Sequence, residues 1–218
     1  MSGIAGQLPD RASSLYRFST VVLRIFFRLF NRWEVAGRGH VPPAGGVLLV
    51  ANHTSYSDPP VVGTACPRPV HFMAKADLFG FPVLRWFIRK THAFPVRRGA
   101  ADRGALRHAV RLLREGKVVL IFPEGTRSPT GRLMPFERGA AFIALASGAA
   151  VVPVAVDGAD RLLPRGSPLL RPAKLRVSFG PPVDLADLQR ARTTQDALEE
   201  ASRRMEAAMR ALLPPHRV

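Results

Sequence analysis

Cys66 is the sole cysteine of the 218-residue chain. It rules out a disulfide framework, a thiolate metal site and a Cys-x-x-Cys redox pair, and a reducing compartment is expected. Uninterrupted apolar runs are short as well, none reaching the ~18 residues of a membrane-spanning helix. The first residues lack the basic start, apolar middle and small-residue cleavage site of a signal peptide, so the chain is expected to stay on the cytoplasmic side. Acidic residues are scarce: 16 Asp and Glu face 32 Lys and Arg, for a net +16 at pH 7. Such an excess meets something acidic or stays solvated. Membranes, nucleic acid and phosphate esters all qualify, so charge alone selects none of them.

Several signatures are also missing. There is no G-x-S-x-G elbow and no H-E-x-x-H, which argues against an acyl-enzyme on serine and a zinc hydrolase. His71, His92 and His108 fall at no metal-ligand spacing and read as structural or surface residues; no metal is expected. The basic residues form no zinc-finger, RNA-recognition or helix-turn-helix signature, so no nucleic acid partner is expected, although a basic binding module is the rival outside enzymes.

The length suits one α/β-sized domain. Residues 13 to 32 read as a helix. At about 100° per residue, Arg17, Arg24 and Arg28 gather within roughly 40°, while Leu15, Phe18, Val22, Ile25, Phe26, Leu29 and Trp33 fill the opposite arc, widened by Phe27 and Phe30. A greasy face under a basic stripe suits a bilayer interface; packing on the domain's own core is the alternative. Beyond Gly37, short apolar runs alternate with helical stretches. Strands are expected at 47–51, 70–74, 93–97, 118–122, 151–156 and 174–179, and helices over 103–115 and after Thr193 or Thr194. The alternation implies a single α/β domain with a mostly parallel or mixed central sheet flanked by helices. The Pro/Gly/Arg-rich segment 158–172 reads as a long surface loop.

Two segments carry chemistry, each just after a strand, where α/β proteins place ligands. In the first, Asn52 to Pro59, a carboxylate at one ring nitrogen of His53 would fix the tautomer and make the other nitrogen a better base. His53 and Asp58 differ by about 140° on an ideal helix, so they share no helical face. Pro59 disfavours helix at Asp58 and suits the first helical position, leaving His53 on the strand-to-helix turn. Alternatively Asp58 only caps that helix, and His53 is a bonded turn residue. In the second segment, Phe122 to Ser128, Gly125 would let backbone amides approach an anion, Thr126 and Ser128 offer hydroxyls, and Arg127 presents a fork matched to phosphate. Glu124 would repel phosphate, so it is expected on a substrate hydroxyl or holding Arg127 or Arg138. A plain surface turn is the alternative.

Together the segments resemble the first and third blocks of the glycerolipid acyltransferases, especially the 1-acylglycerol-3-phosphate acyltransferase family, whose patterns are N-H-x4-D and F-P-E-G-T-R-S. Lys75 to Leu78 and Phe94 to Arg98 look, more loosely, like the second block. Phe136 to Gly139 and Val151 to Val154 resemble the last, so the likeness runs in order from about residue 33 to 184. With the amphipathic helix for membrane association assigned to 1–32, the likeness implies an acyltransferase domain over 33–218. It further implies transfer from acyl-CoA or acyl-acyl-carrier-protein, with no other cofactor, to the hydroxyl of lysophosphatidic acid, giving phosphatidic acid; glycerol 3-phosphate or another lysophospholipid is the alternative acceptor. His53 would be the base, Asp58 its support and Lys75 an oxyanion donor. Glu124, Gly125, Thr126, Arg127, Arg97 and Arg138 would hold the acceptor phosphate. The implied setting is the cytoplasmic face of a phospholipid membrane, peripheral or monotopic. A lipid-binding relative without turnover would normally have lost the base.

Overall fold

The computed structural model describes residues 12–96, 102–190 and 194–218. Its strands are β1 (Glu34–Ala36), β2 (Val47–Ala51), β3 (Val70–Lys75), β4 (Ala93–Val96), β5 (Val118–Ile121), β6 (Ala150–Asp157) and β7 (Arg176–Phe179). They form one sheet in the order β1-β7-β6-β2-β5-β3-β4, parallel throughout except for the β6–β7 pair. The helices are α1 (Ser14–Phe30), α2 (Asp58–Ala65), α3 (Pro82–Lys90), α4 (Arg103–Arg114), α5 (Arg138–Ser147), α6 (Ala159–Leu162), α7 (Ala186–Arg190) and α8 (Gln195–Leu212). The expected single α/β domain with a mixed sheet is what forms.

β2 and β5 are buried along their whole length. Helices cover both faces, which is why these strands read as unbroken apolar runs instead of alternating ones. Leu48, Val50, Val119 and Ile121 point into one core, with α4, α5 and α8. Val47, Leu49, Val118 and Leu120 point into the other, with α2 and Phe27 of α1. Each such side chain contributes about 1.5–3 kcal/mol by leaving water, and cutting Leu49 to Ala would cost about 2–5 kcal/mol.

Helix α8 starts as expected, where Thr194 Oγ1 accepts the Ala197 N–H. Several boundaries differ. Helix α2 begins on Asp58, with Pro59 second; the first turn of a helix donates no N–H inward, so proline is tolerated one position later than expected. The 158–172 segment contains the short helix α6. Strand β1 is too short to show a period. Helix α5 is apolar nearly all round because it lies between α4 and α8, so it lacks the stripe by which a helix is recognised. Helix α3 lies in a stretch the sequence left unassigned.

Helix α1 divides its apolar residues. Tyr16 and Phe27 are buried, while Phe18, Val21, Val22, Ile25, Leu29 and Phe30 are exposed. Phe27 thus belongs to the core and not to the outer greasy face. The Tyr16 hydroxyl accepts the Val70 N–H at 3.0 Å, and Arg24 donates to the Thr64 carbonyl at 3.3 Å, seating the helix on α2 and β3. Beside it, α3 and the turn before it expose Phe81, Val83, Trp86 and Phe87. Among the described residues no helix is long and apolar enough to cross a membrane.

Candidate active site

The two segments meet because of strand register. β2 and β5 are parallel neighbours with Val50 opposite Ile121. His53 and Glu124 each lie three residues beyond those positions, so both turns leave the sheet at one level. The His53 N–H donates to Glu124 Oε1 at 2.6 Å, and the Ser128 N–H donates to the His53 carbonyl at 2.7 Å.

His53 is also held through its ring, with Nδ1 2.9 Å from Asp58 Oδ2. The same oxygen accepts the N–H groups of Thr54 at 2.7 Å and Ser55 at 2.8 Å. An oxygen receiving two backbone donors acts as a carboxylate, so the shared hydrogen belongs on Nδ1, and Nε2 keeps its lone pair. Asp58 is fully buried and His53 is 3 % exposed. Phe122 stacks on the imidazole with ring centroids 4.0 Å apart. Asp58 thus serves both readings: it opens α2 and it orients the histidine. Asn52, which the sequence did not single out as a site residue, donates to the Val156 carbonyl at 3.0 Å and accepts the Val156 N–H at 2.8 Å. Its side-chain amide imitates a peptide and continues the β2–β6 ladder past the strand end. Ser57 donates to the Ala159 carbonyl and Ser55 to the Leu163 carbonyl, tying the turn to α6.

The second segment is arranged differently from the sequence expectation. Glu124 is bonded to neither arginine; its Oε1 takes the His53 N–H and its Oε2 the Met134 N–H at 3.0 Å. Burial pushes its carboxyl up to about 7, against the pull of those two donors and with added repulsion from Asp58. Gly125 does not offer its amide to an anion: that N–H closes a turn onto the Phe122 carbonyl at 3.1 Å. Its φ of +68° and the Glu137 carboxylate against its Cα are what require glycine. Arg127 lies 3.5 Å over the exposed ring of Tyr56, a partner the sequence did not suggest. Thr126 is exposed. Arg138 opens α5 and pairs with Glu199 of α8 at 3.0 Å. Lys75 pairs with Asp77. Arg97 lies outside the described residues.

Two cavities meet at His53. One of about 310 Å³, lined by Tyr16, Leu23, Met73, Lys75, Phe87 and Ile88 among others, runs between α1 and α3. The other, of about 700 Å³, runs between α4 and α5 and is lined by Leu106, Phe136, Arg138, Phe142 and Ile143 among others. Cys66 is no rival nucleophile, because burial pushes its thiol up to about 11. A histidine with one nitrogen anchored and the other without a protein partner among the described residues, at the junction of two cavities, is equipped to take a proton from a bound hydroxyl.

Known proteins resemble this chain in sequence and fold. Residues 32–157 match the family described as Acyltransferase. The 1-acyl-sn-glycerol-3-phosphate acyltransferase of Bacillus subtilis is 32% identical over 174 residues, covering 79% of this chain and 84% of that one. The chloroplastic 1-acyl-sn-glycerol-3-phosphate acyltransferase BAT2 of Brassica napus is 30% identical over 158 residues, 71% of this chain and 46% of its own. A lyso-ornithine lipid O-acyltransferase of Pseudomonas aeruginosa is 34% identical over 126 residues, 57% of this chain and 48% of its own. Among solved structures, the 1-acyl-sn-glycerophosphate (LPA) acyltransferase of Thermotoga maritima superposes with a TM-score of 0.73 at 30% identity, over 91% of this chain and 78% of that one. With His53 and Glu124 inside the matched span and the fold shared over nine-tenths of its length, the chain belongs to the acyltransferase family of enzymes.

Proposed function

We propose that the protein transfers an acyl group from acyl-CoA or acyl-acyl-carrier-protein to the free hydroxyl of lysophosphatidic acid, giving phosphatidic acid. The observation that carries this reading is the His53 ring, with Nδ1 bonded to Asp58 and Nε2 facing no protein partner among the described residues. Nε2 takes the proton of the acceptor hydroxyl as its oxygen attacks the thioester carbonyl. The tetrahedral oxyanion collapses, the C–S bond breaks, and the thiolate takes the proton back from Nε2. Lys75, at the wall of the smaller cavity, supplies a cation for the oxyanion. Arg127 and Thr126, with Arg138 and Arg97, take the acceptor phosphate. Acyl chains suit the apolar smaller cavity, whose walls α1 and α3 carry the exposed Phe18, Leu29, Val83 and Trp86 outward. Those residues, beside Arg17, Arg85 and Arg89, suit the cytoplasmic face of a phospholipid membrane, held peripherally or monotopically.

The relatives named for lysophosphatidic acid support that acceptor. The relative named for lyso-ornithine lipid favours a second reading, a different lysolipid acceptor at the same base. Incubating the purified protein with labelled acyl-CoA or acyl-carrier-protein and a panel of glycerol 3-phosphate, lysophosphatidic acid and other lysolipids separates these readings. Labelled phosphatidic acid is the expected product, and no product with any acceptor refutes the proposal. Membrane contact is checked by liposome sedimentation. Replacing Phe18 and Leu29 by Ser should release the protein, and unchanged sedimentation would refute the contact.

A further inference from the structure

Beyond α8, the segment Leu213 to Val218 returns to the sheet and buries a charged residue, Arg217, at 5 % exposure. Its guanidinium is fully engaged. Nη1 and Nη2 form a fork on Asp160 at 2.8 and 2.7 Å, Nε donates to Asp157 Oδ1 at 2.9 Å, and Nη1 also donates to the Gly131 carbonyl at 3.2 Å. The Arg217 carbonyl in turn accepts the Leu133 N–H at 2.7 Å. A bidentate arginine–carboxylate pair partly shielded from water fixes both distance and plane, which a point charge does not.

The partners of Arg217 lie on the two scaffolds of the active site. Asp157 ends β6 and Asp160 lies in α6, the stretch on which Asn52, Ser55 and Ser57 seat the His53 turn through Val156, Leu163 and Ala159. Gly131 and Leu133 lie in the loop that follows Ser128, and the next residue, Met134, gives its N–H to Glu124. We propose that Arg217 is a positioning residue: it locks the seat of the histidine base to the loop that carries the phosphate segment, and so sets the distance between hydroxyl activation and phosphate binding. The proposal rests on the acyl-transfer reading above.

The burial of both carboxylates would push their protonation upward, yet the hydrogen bonds and charge of Arg217 hold Asp157 and Asp160 below their ordinary range. The lock is therefore ionised at neutral pH. Gly131 has φ +76°, and a Cβ there would meet Arg217 Nη1 at 2.5 Å. The loop main chain thus rests directly on the guanidinium, and a displaced arginine displaces the loop.

The test compares the unaltered 218-residue chain with Arg217→Lys, Arg217→Met, Asp160→Asn and Gly131→Ala. The readouts are thermal unfolding and steady-state KM and kcat for the lysolipid acceptor and the acyl donor separately. Misplacing reactive groups by a fraction of an ångström lowers kcat/KM for the acceptor by about 10- to 100-fold. The expected pattern is that loss, an unchanged donor KM, and partial recovery in Arg217→Lys relative to Arg217→Met. Gly131→Ala leaves the ion pairs chemically intact, so it answers the question if the arginine variants do not fold. A residue that only stabilises the fold would lower the unfolding temperature and the active fraction but leave the KM of the surviving enzyme alone; that outcome overturns the proposal. If the unaltered protein turns over while all variants match it, this inference alone fails. If the unaltered protein makes no product with any acceptor, the acyl-transfer reading fails and takes this inference with it.

Discussion

The seat of His53, the proposed base, and the side chains proposed for the phosphate are built in opposite ways. His53 is held by its N–H, its carbonyl and its Nδ1, with Phe122 against the ring, and Asp58 is fully buried beneath it. Arg127 and Arg138 lie nearer the surface; one leans on Tyr56 and the other on Glu199, both exposed partners. A base must meet one proton at one distance, so its orientation is settled before substrate arrives. A cation that captures a mobile phosphate gains from a long, hydrated side chain that leaves its resting partner at little cost.

That contrast is broken most directly at the base. His53→Ala should lower kcat by about 10²- to 10⁴-fold while the unfolding temperature moves only a few degrees. Asp58→Asn should lose activity on a similar scale, because the amide no longer demands the Nδ1–H tautomer. Turnover near that of the unaltered protein in either variant would show that the rigid seat is not the catalytic element.

Glu124 gives the next largest effect and carries a pH signature. Its folded-state value of about 7 lies above the ordinary glutamate value of 4.5, so the folded chain binds this proton more tightly than the unfolded chain. The stability this contributes is full below about pH 4.5 and is lost as pH rises through about 7. Glu124→Gln removes that slope, so the stability advantage of the unaltered protein over this variant should shrink between pH 5 and pH 8. Calorimetric scans at three pH values test it, and a gap that widens with pH would contradict the raised value. Gln also turns a donor towards one of the two N–H groups, so kcat should fall.

Smaller effects are expected on the phosphate side. An arginine over an exposed aromatic ring is worth about 0.5–1 kcal/mol. Tyr56→Ala should therefore raise the acceptor KM by about 2- to 5-fold, while Tyr56→Phe should leave it unchanged. Glu199→Gln, at an exposed ion pair, should change stability by no more than about 1 kcal/mol and the acceptor KM hardly at all. A loss at either position comparable to that of His53→Ala would mean that the phosphate side is as rigidly built as the base.

Much of this was readable from residue order. The apolar runs of β2 and β5, the helical spacing of α4 and α8, and the position of His53 off the helix all follow from local pattern. Helix α5 was not readable, because a helix buried on all sides has no polar stripe. The contacts of Glu124 and Gly125 were not readable for a different reason. A carboxylate after a strand looks free to meet substrate until the neighbouring strand delivers the His53 N–H to it, and glycine suggests anion binding until its amide is seen closing a turn.

The sequence by itself determined the α/β class, the burial of the central strands, the off-helix histidine and the likeness to acyltransferases, because each rests on residue type and short-range spacing. Only the tertiary structure decided that Val50 lies opposite Ile121, that Glu124 takes the His53 N–H, that α1 keeps Phe27 inside and Phe18 outside, and that Arg217 reaches Gly131 across 86 residues. Those are contacts between distant segments, and their geometry is set by strand order and register, which no local pattern encodes.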